Sequence, residues 1–413
     1  MKNKSFRCLW VGQILADSGD VIYIVGLISM LYKVTGSAFY MSVIPFTITV
    51  ARFISGLVTP ILIDKYPLRT LLVRSQAGKT VLLLFLGGYN LLGLPIFSIW
   101  PIFILVFVIS YLEGFAFPAS KALIPRLVSN EELVKANSFL SILNQFVGLG
   151  GWACGGILAA VLHGENLVWL TFILYILSTL VLSCISDDKE VIDKKIGTLE
   201  NEPNSIRTSI KEDWAFIWKS PILRLIHIIL SFESMAYVVW IAAIIYVYVK
   251  EQLKMDESWW GYINASFLFG LLIGGFFSLR SSNFIERNMG RIIISSAIGI
   301  SLTTFLFGFI EIPIFSLVIS TIFGVIEELK GISLQTLLQK STSNELLPKV
   351  YAAQGSLTSI LFGISSLIFG VITEQFGVKV TFMISTVLLL FSACYTVYFR
   401  KYLGEQNNIH QEN

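Results

Sequence analysis

Charge is what this chain has least of. Only 14% of its 413 residues are Asp, Glu, Lys or Arg, against about 25% in a soluble domain. Histidine occurs three times and cysteine four times. Cys8, Cys154, Cys184 and Cys394 are scattered through apolar runs, with neither CxxC spacing nor a Cys/His cluster. That argues against disulfides and zinc. A net charge of +3 is too small for a nucleic-acid footprint. No nucleophile–base pair and no metal-ligand constellation stands out, so neither an enzyme nor a cofactor is expected. A cleavable leader is not expected either, because the first apolar run, 8–32, is too long for a signal core and has no small-residue cleavage site after it.

What fills the chain instead is hydrophobic sequence: 55% of residues are apolar, with 31 Phe and 31 Gly. About twenty apolar residues make one membrane crossing. Twelve runs qualify: 8–32, 40–63, 70–93, 97–120, 138–162, 167–186, 222–249, 258–280, 291–311, 313–335, 352–376 and 380–399. Each must be a helix, since backbone polar groups find no water in hydrocarbon. An even count places both termini on one side. On that side lie 24 of the 30 Lys and Arg, against four (Lys33, Lys250, Lys254, Lys379) on the other. The positive-inside rule then makes both termini cytoplasmic, in a cell membrane.

The runs divide six and six around a charged stretch. We read a first bundle at 1–186, a linker at 187–221, a second bundle at 222–403 and a polar tail at 404–413. The linker ends in an amphipathic piece, 210–219, suited to the inner membrane surface. The two bundles are copies of one unit. At an offset of 214, Glu113 falls on Glu327, Ser129-Asn130-Glu131 on Ser343-Asn344-Glu345, Lys135 on Lys349, Gly156 on Gly370, and Gln13 on His227. Internal repeats of this kind mark transporters.

The few charges inside the runs are therefore functional candidates. Gln13, Asp17 and Asp20 share one helix face. Asp20 lies about 18 Å into its helix at 1.5 Å per residue, near the midplane. Arg52 reaches a similar depth in the second crossing, and pairing the two is the most economical way to hold both charges. That pair is either static or a switch that opens when the acid takes a proton. Glu113, Glu233 and Glu327 lie in the fourth, seventh and tenth crossings. With Asp17 and Asp20 they make the set of proton-coupling candidates. Lys330 either pairs with Glu327 or reaches the inner surface. Glu327, in a charged setting, is the better candidate for coupling; Glu113, in an apolar one, suits a neutral acid or a cation site. Ala77-Gly78-Lys79-Thr80 mimics the end of a phosphate-binding loop, but Val73 stands where glycine is needed and no strand precedes it. Lys79 therefore snorkels or pairs with a neighbouring acid. His227 is a proton relay or a packing residue.

Short motifs add a resemblance. Gly56, Asp64-Lys65 and Arg69 after the second crossing resemble the cytoplasmic gate motif of the major facilitator superfamily, with Pro60 in place of a glycine. Glu286-Arg287 to Arg291 is a weaker echo. Gly148, Gly151, Gly155 and Gly156 resemble an exporter glycine motif with Trp152 in place of proline, and small residues there let helices approach closely. Gly12-Gln13, Gly19-Asp20, Thr35-Gly36-Ser37, Arg52, Phe117-Pro118-Ala119 and Ala136-Asn137-Ser138 resemble the macrolide-efflux-like branch. The resemblance implies an all-α membrane protein of twelve transmembrane helices in two pseudo-symmetric six-helix bundles. Crossings one, four, seven and ten would line a central cavity. It also implies a monomer that exports drug-like amphipathic or cationic molecules in exchange for protons. Export of a siderophore or metal ion, import on the same fold, and a lipid-handling or sensor protein that does not cycle are the alternatives.

Overall fold

The structure, a computed structural model, describes residues 3–35, 38–91, 99–186, 214–240, 242–256 and 258–404. The linker expected at 187–221 falls largely outside the described residues, as does the tail beyond 404. Every regular element among the described residues is helical. They run α1 (Lys4–Thr35), α2 (Ala38–Lys65), α3 (Leu68–Leu91), α4 (Trp100–Leu127), α5 (Leu133–Ser183), α6 (Pro221–Ala236), α7 (Ala242–Val247), α8 (Ser258–Arg280), α9 (Ser282–Phe309), α10 (Pro313–Lys340), α11 (Leu347–Phe376), α12 (Val378–Tyr398) and α13 (Lys401–Gly404). Nine described helical segments are long and apolar enough to cross a membrane. Helices α3 and α10, which carry buried lysines, are not among them.

Two expected boundaries shift. The runs 138–162 and 167–186 fall in one helical stretch, α5, of 51 residues. The seventh crossing, read as one run over 222–249, is interrupted. Helix α6 ends at Ala236, a 3-10 turn spans Tyr237–Trp240, α7 follows, and a π turn occupies Tyr248–Gln252. The run is dense in β-branched residues: Val238, Val239, Ile244, Ile245, Val247 and Val249. Such side chains crowd the preceding turn and lower helix propensity. Ser385 Oγ donates to the carbonyl of Ala236 at 2.9 Å, one way a break inside a membrane stays satisfied.

The chain packs as two compact units. Unit one is Met1–Ser129, Phe146–Trp214 and Asn344–Ser356; unit two is Asn130–Gln145, Ala215–Ser343 and Leu357–Asn413. Each unit thus holds a short piece of the opposite repeat, and the two pieces are themselves repeat-related, since Asn130 and Asn344 are 214 apart. In unit one, α4 packs on α2 and α3 around Leu27, Leu83, Val106 and Tyr175. The borrowed piece is held by Arg126, which donates to the Asn344 carbonyl at 3.0 Å, and by Lys349 against Asp64 at 2.7 Å. In unit two, α10 packs on α8 and α9, and α12 on α9 and α6. Its borrowed piece is held by buried Asn137, whose amide donates to Thr336 Oγ1 at 3.0 Å and Gln339 Oε1 at 2.6 Å. Val134 adds an apolar contact with Ile285 and Ile332.

Helices α8 and α10 approach each other closely along their backbones. A Cβ on Gly270 would stand 2.1 Å from the Thr321 carbonyl oxygen, and one on Gly324 would stand 2.4 Å from that of Phe267. Of the glycines singled out in the sequence, only Gly148 has described surroundings. Gly148 has nothing within 4 Å of where a Cβ would stand, and the surroundings of Gly151, Gly155 and Gly156 lie outside the described residues. Gly270 and Gly274 form the small-xxx-small spacing that favours close helices, so a signal was present in α8.

In the first turn of α12, Lys379 Nζ donates to Glu311, which precedes α10, at 2.9 Å. That bond and charge hold the Glu311 carboxyl below its ordinary range. Before α8, Asp256 accepts from the Ser258 hydroxyl and, at 2.9 Å, from its backbone N–H. These donors likewise hold Asp256 low.

Candidate functional site

Each unit buries one lysine between two carboxylates. In unit one, α3 brings Lys79, fully buried, against Asp20 of α1 at 3.1 Å and Glu113 of α4 at 2.5 Å. Tyr175 of α5 donates its hydroxyl to Asp20, and the ammonium stands 4.8 Å from the centre of its ring. In unit two, α10 brings Lys330, also buried, against Glu233 of α6 at 2.9 Å and Glu327 of its own helix at 3.2 Å. Tyr237 donates to Glu327 and accepts from Lys330 at 2.7 Å. Its ring centre lies 5.3 Å from the ammonium, and Ser392 Oγ donates to Glu233 at 3.3 Å.

The two clusters share a plan: an ammonium at the back, two acids in front and a phenol on one acid. The acids follow the repeat. Glu113 and Glu327 are 214 apart, and Asp20 and Glu233 fall one position off that offset. The lysines do not follow it; they come from α3 in one unit and α10 in the other. Nor do the phenols, since the repeat mate of Tyr237 is Tyr23 while Tyr175 does the work in unit one. A long flexible stem lets an ammonium reach an acid from several helices, whereas a carboxylate must start close.

In both clusters the lysine is less exposed than its acids. Lys330 is 1% exposed and Glu327 23%; Lys79 is 0% and Asp20 and Glu113 are 16% and 12%. Each lysine can balance one acid, so each cluster carries more carboxylate than ammonium.

The structure brings together most of the acids expected from sequence. Asp17, one turn before Asp20, lies within electrostatic reach of Asp20, Glu113 and Lys79. Of the two readings for Lys79 and for Lys330, pairing is what is seen. The partner of Asp20 is a correction: Lys79 holds it, while Arg52 is exposed on α2. Depth along a helix was legible, and the direction in which Arg52 points was not. The tyrosines were missed. Tyr237 follows Glu233 by four residues, the spacing of one helix face, so it was findable. Tyr175 meets Asp20 across 155 positions and left no local trace. His227 is buried, with Nδ1 2.8 Å from the Leu223 carbonyl of its own helix.

The expected gate residues lie apart from the clusters, at the end of α2. Asp64 pairs with Lys349, Arg69 donates to the Ser183 carbonyl at 2.5 Å, and Lys65 is exposed. Asp64 is half-exposed, and such pairs are worth about 0.2–1 kcal/mol. Asp64→Asn should therefore lower thermal stability by less than about 1 kcal/mol, a loss that high salt should shrink in the wild-type comparison. A larger, salt-independent loss would mean that Asp64 does more than pair with Lys349.

Known proteins give this geometry its context. An uncharacterized MFS-type transporter of Bacillus subtilis, YfmI, is 27% identical over 394 residues, covering 95% of this chain and 96% of that one. Macrolide efflux protein A of Streptococcus pyogenes is 22% identical over 398 residues, covering 93% of each. Among solved structures, a bacterial homologue of the iron transporter ferroportin in an outward-facing state superposes with a TM-score of 0.73. It is 16% identical and covers 96% of this chain and 99% of that one. The model of the Major Facilitator Superfamily matches residues 9–361, a span that takes in both charge clusters. The chain is thus a multi-pass membrane transporter, not an enzyme, and it belongs to the Major Facilitator Superfamily.

Proposed function

We propose that this protein exports amphipathic or cationic drug-like small molecules from the cell in exchange for protons, by alternating access between its two bundles. The observation that carries this reading is the pair of buried clusters, each with more carboxylates than ammonium groups. Burying such charge is costly unless it is used. An acid that is neutralised by a proton on one side of the membrane and released on the other gives the exchange its driving force. Glu327, the most exposed acid of the two clusters, is the coupling acid in this reading, with Glu233 sharing Lys330. Asp20, Asp17 and Glu113 form the partner site around Lys79. Asp64, Lys65 and Arg69 form a weak cytoplasmic latch. The similarity to macrolide efflux protein A supports a drug-like substrate.

The test is uphill transport in inverted membrane vesicles carrying a pH gradient, with erythromycin and tetraphenylphosphonium as probes. Addition of a transported probe should discharge the gradient in wild type. Glu327→Gln should remove that discharge and all uphill accumulation, a loss of at least tenfold, while leaving probe binding measurable. Wild-type rates in Glu327→Gln would rule Glu327 out as the coupling acid. A second reading, proton-driven export of a metal ion, draws on the likeness to the ferroportin homologue. Iron(II) and nickel(II) in the same assay decide between them.

A further inference from the structure

The Tyr237 hydroxyl sits between Glu327 and Lys330, at the first residue of the break in the seventh crossing. We infer that Tyr237 is a positioning residue, a latch that converts the protonation of the Glu327–Lys330–Glu233 cluster into a change of shape in the outer part of the seventh crossing. This rests on the proton-exchange reading above and adds to it the element that moves.

Three observations meet at this residue. Its oxygen accepts from Lys330 at 2.7 Å while its hydroxyl donates to Glu327. Its backbone closes α6, donating to the Glu233 carbonyl, and opens the 3-10 turn Tyr237–Trp240. Its ring begins a ladder of aromatic contacts. Tyr237 meets Phe323 at 6.0 Å, Phe323 stacks on Trp240 at 4.0 Å, Trp240 meets Phe307 at 4.6 Å, and Phe307 stacks on Tyr248 at 4.6 Å. Tyr248 is the first residue of the π turn, which Leu253 N–H closes onto the Tyr248 carbonyl at 3.1 Å. The ladder therefore joins the two irregular turns that bracket α7.

The charged groups facing the phenol are Glu233 from α6 and Glu327 and Lys330 from α10. Around the same pocket α12 presents the hydroxyls of Ser385 and Ser392, and α9 that of Thr304, on Trp240 Nε1 at 3.4 Å. Glu328 lies on the other side of α10, against Gly274 and Gly275 of α8.

An ionised Glu327 accepts the phenol proton and fixes the ring. A protonated Glu327 has its own proton to donate, so the phenol loses its charged acceptor and Lys330 turns to Glu233. The 3-10 turn is then free to rewind as α-helix. A 3-10 turn rises about 2.0 Å per residue at three residues per turn, and an α-helix 1.5 Å at 3.6. Rewinding four residues would draw the outer segment in by about 2 Å and rotate it by about 80°. The π turn beyond α7 has the same hand but is wound looser than α-helix where the 3-10 turn is wound tighter, and it takes up the change. Mid-helix 3-10 stretches and π turns are found at functional hinges.

The test uses full-length protein labelled with 5-fluorotryptophan and reconstituted in lipid nanodiscs. The Trp240 resonance is assigned by its absence from Trp240→Phe. In wild type it should move between two positions as pH is taken from 8.5 to 5. In Tyr237→Phe, which keeps the ring and its stack, it should stay in one position. In Tyr175→Phe, which removes the phenol of the other unit, it should move as in wild type. A Trp240 resonance that follows pH equally in wild type and Tyr237→Phe overturns the latch, as does one that ignores pH in wild type. If Tyr237→Phe does not fold, Glu327→Gln serves: its amide still accepts from the phenol but takes no proton, and the resonance must hold still. Efflux in the same nanodisc preparation, transferred to liposomes, separates the two readings. Gradient-driven efflux with an unresponsive Trp240 overturns the latch alone, whereas efflux indifferent to the gradient overturns proton exchange and the latch with it.

Discussion

Lys330→Met should lower stability by about 3–5 kcal/mol and abolish uphill transport. Methionine matches the lysine stem in length and apolar character, so packing is largely kept and the loss isolates the charge. Lys330 donates a hydrogen bond to Tyr237 at 2.7 Å and pairs with Glu233 and Glu327 at 2.9 and 3.2 Å. Without it, buried Glu233 and partly exposed Glu327 are left close together with no cation between them. Removing one partner of a buried ion pair is costly for this reason, about 3–5 kcal/mol, whereas removing the whole charged group is often neutral. Lys330→Met/Glu233→Gln should thus recover most of the stability that the single substitution loses, while transport stays absent. Thermal unfolding of the purified protein in detergent reads both. If the single variant is as stable as wild type, the ammonium is not what holds the two acids, and the charge-cluster account of unit two fails.

Gly270→Ala is the second large effect, and it comes from one methyl group. The added Cβ would stand 2.1 Å from the Thr321 carbonyl oxygen and 3.1 Å from the Gly324 Cα. Both are backbone atoms of α10 and cannot rotate aside. Helices α8 and α10 must part, and α10 carries Glu327 and Lys330. We expect a loss at the top of, or beyond, the about 1–3 kcal/mol usual for overpacking, with little monodisperse protein recovered. Gly331→Ala supplies the control on the same helix. Nothing lies within 4 Å of its Cβ position, so alanine should bring the helix-propensity gain of up to about 1 kcal/mol. Equal stability of the two variants would show that α8 and α10 part without cost and that their close approach does not hold unit two together.

How far the sequence carries depends on what each feature asks of it. Apolar runs and the repeat are written along the chain, so helices, their order and the acids at Asp20, Glu113, Glu233 and Glu327 were readable. The assembly of charges was only partly so. The periodicity of a helix gives depth and face, but which neighbour a face meets is a property of the packed bundle. Arg52 was the partner expected for Asp20, but it is exposed on α2, and α3 turns Lys79 onto the acid instead. The break after Ala236 was open to reading in its β-branched run, yet high hydropathy conceals it, because lipid-compatible composition and helix propensity are different quantities. The close approach of α8 and α10 was open to reading in the same way, since the plain Gly270-x-x-x-Gly274 spacing in α8 is what permits it.

The reciprocal loan of residues 130–145 and 344–356 bears on how the protein is made. Synthesis runs from one end, so the amino-terminal six crossings enter the membrane long before residues 344–356 have left the ribosome. Until then Asp64 lacks Lys349, the Asn344 carbonyl that Arg126 binds does not exist, and Asn137 waits for Thr336 and Gln339. Neither half of the chain forms a finished body by itself, and each is completed only late in translation, by an intramolecular step.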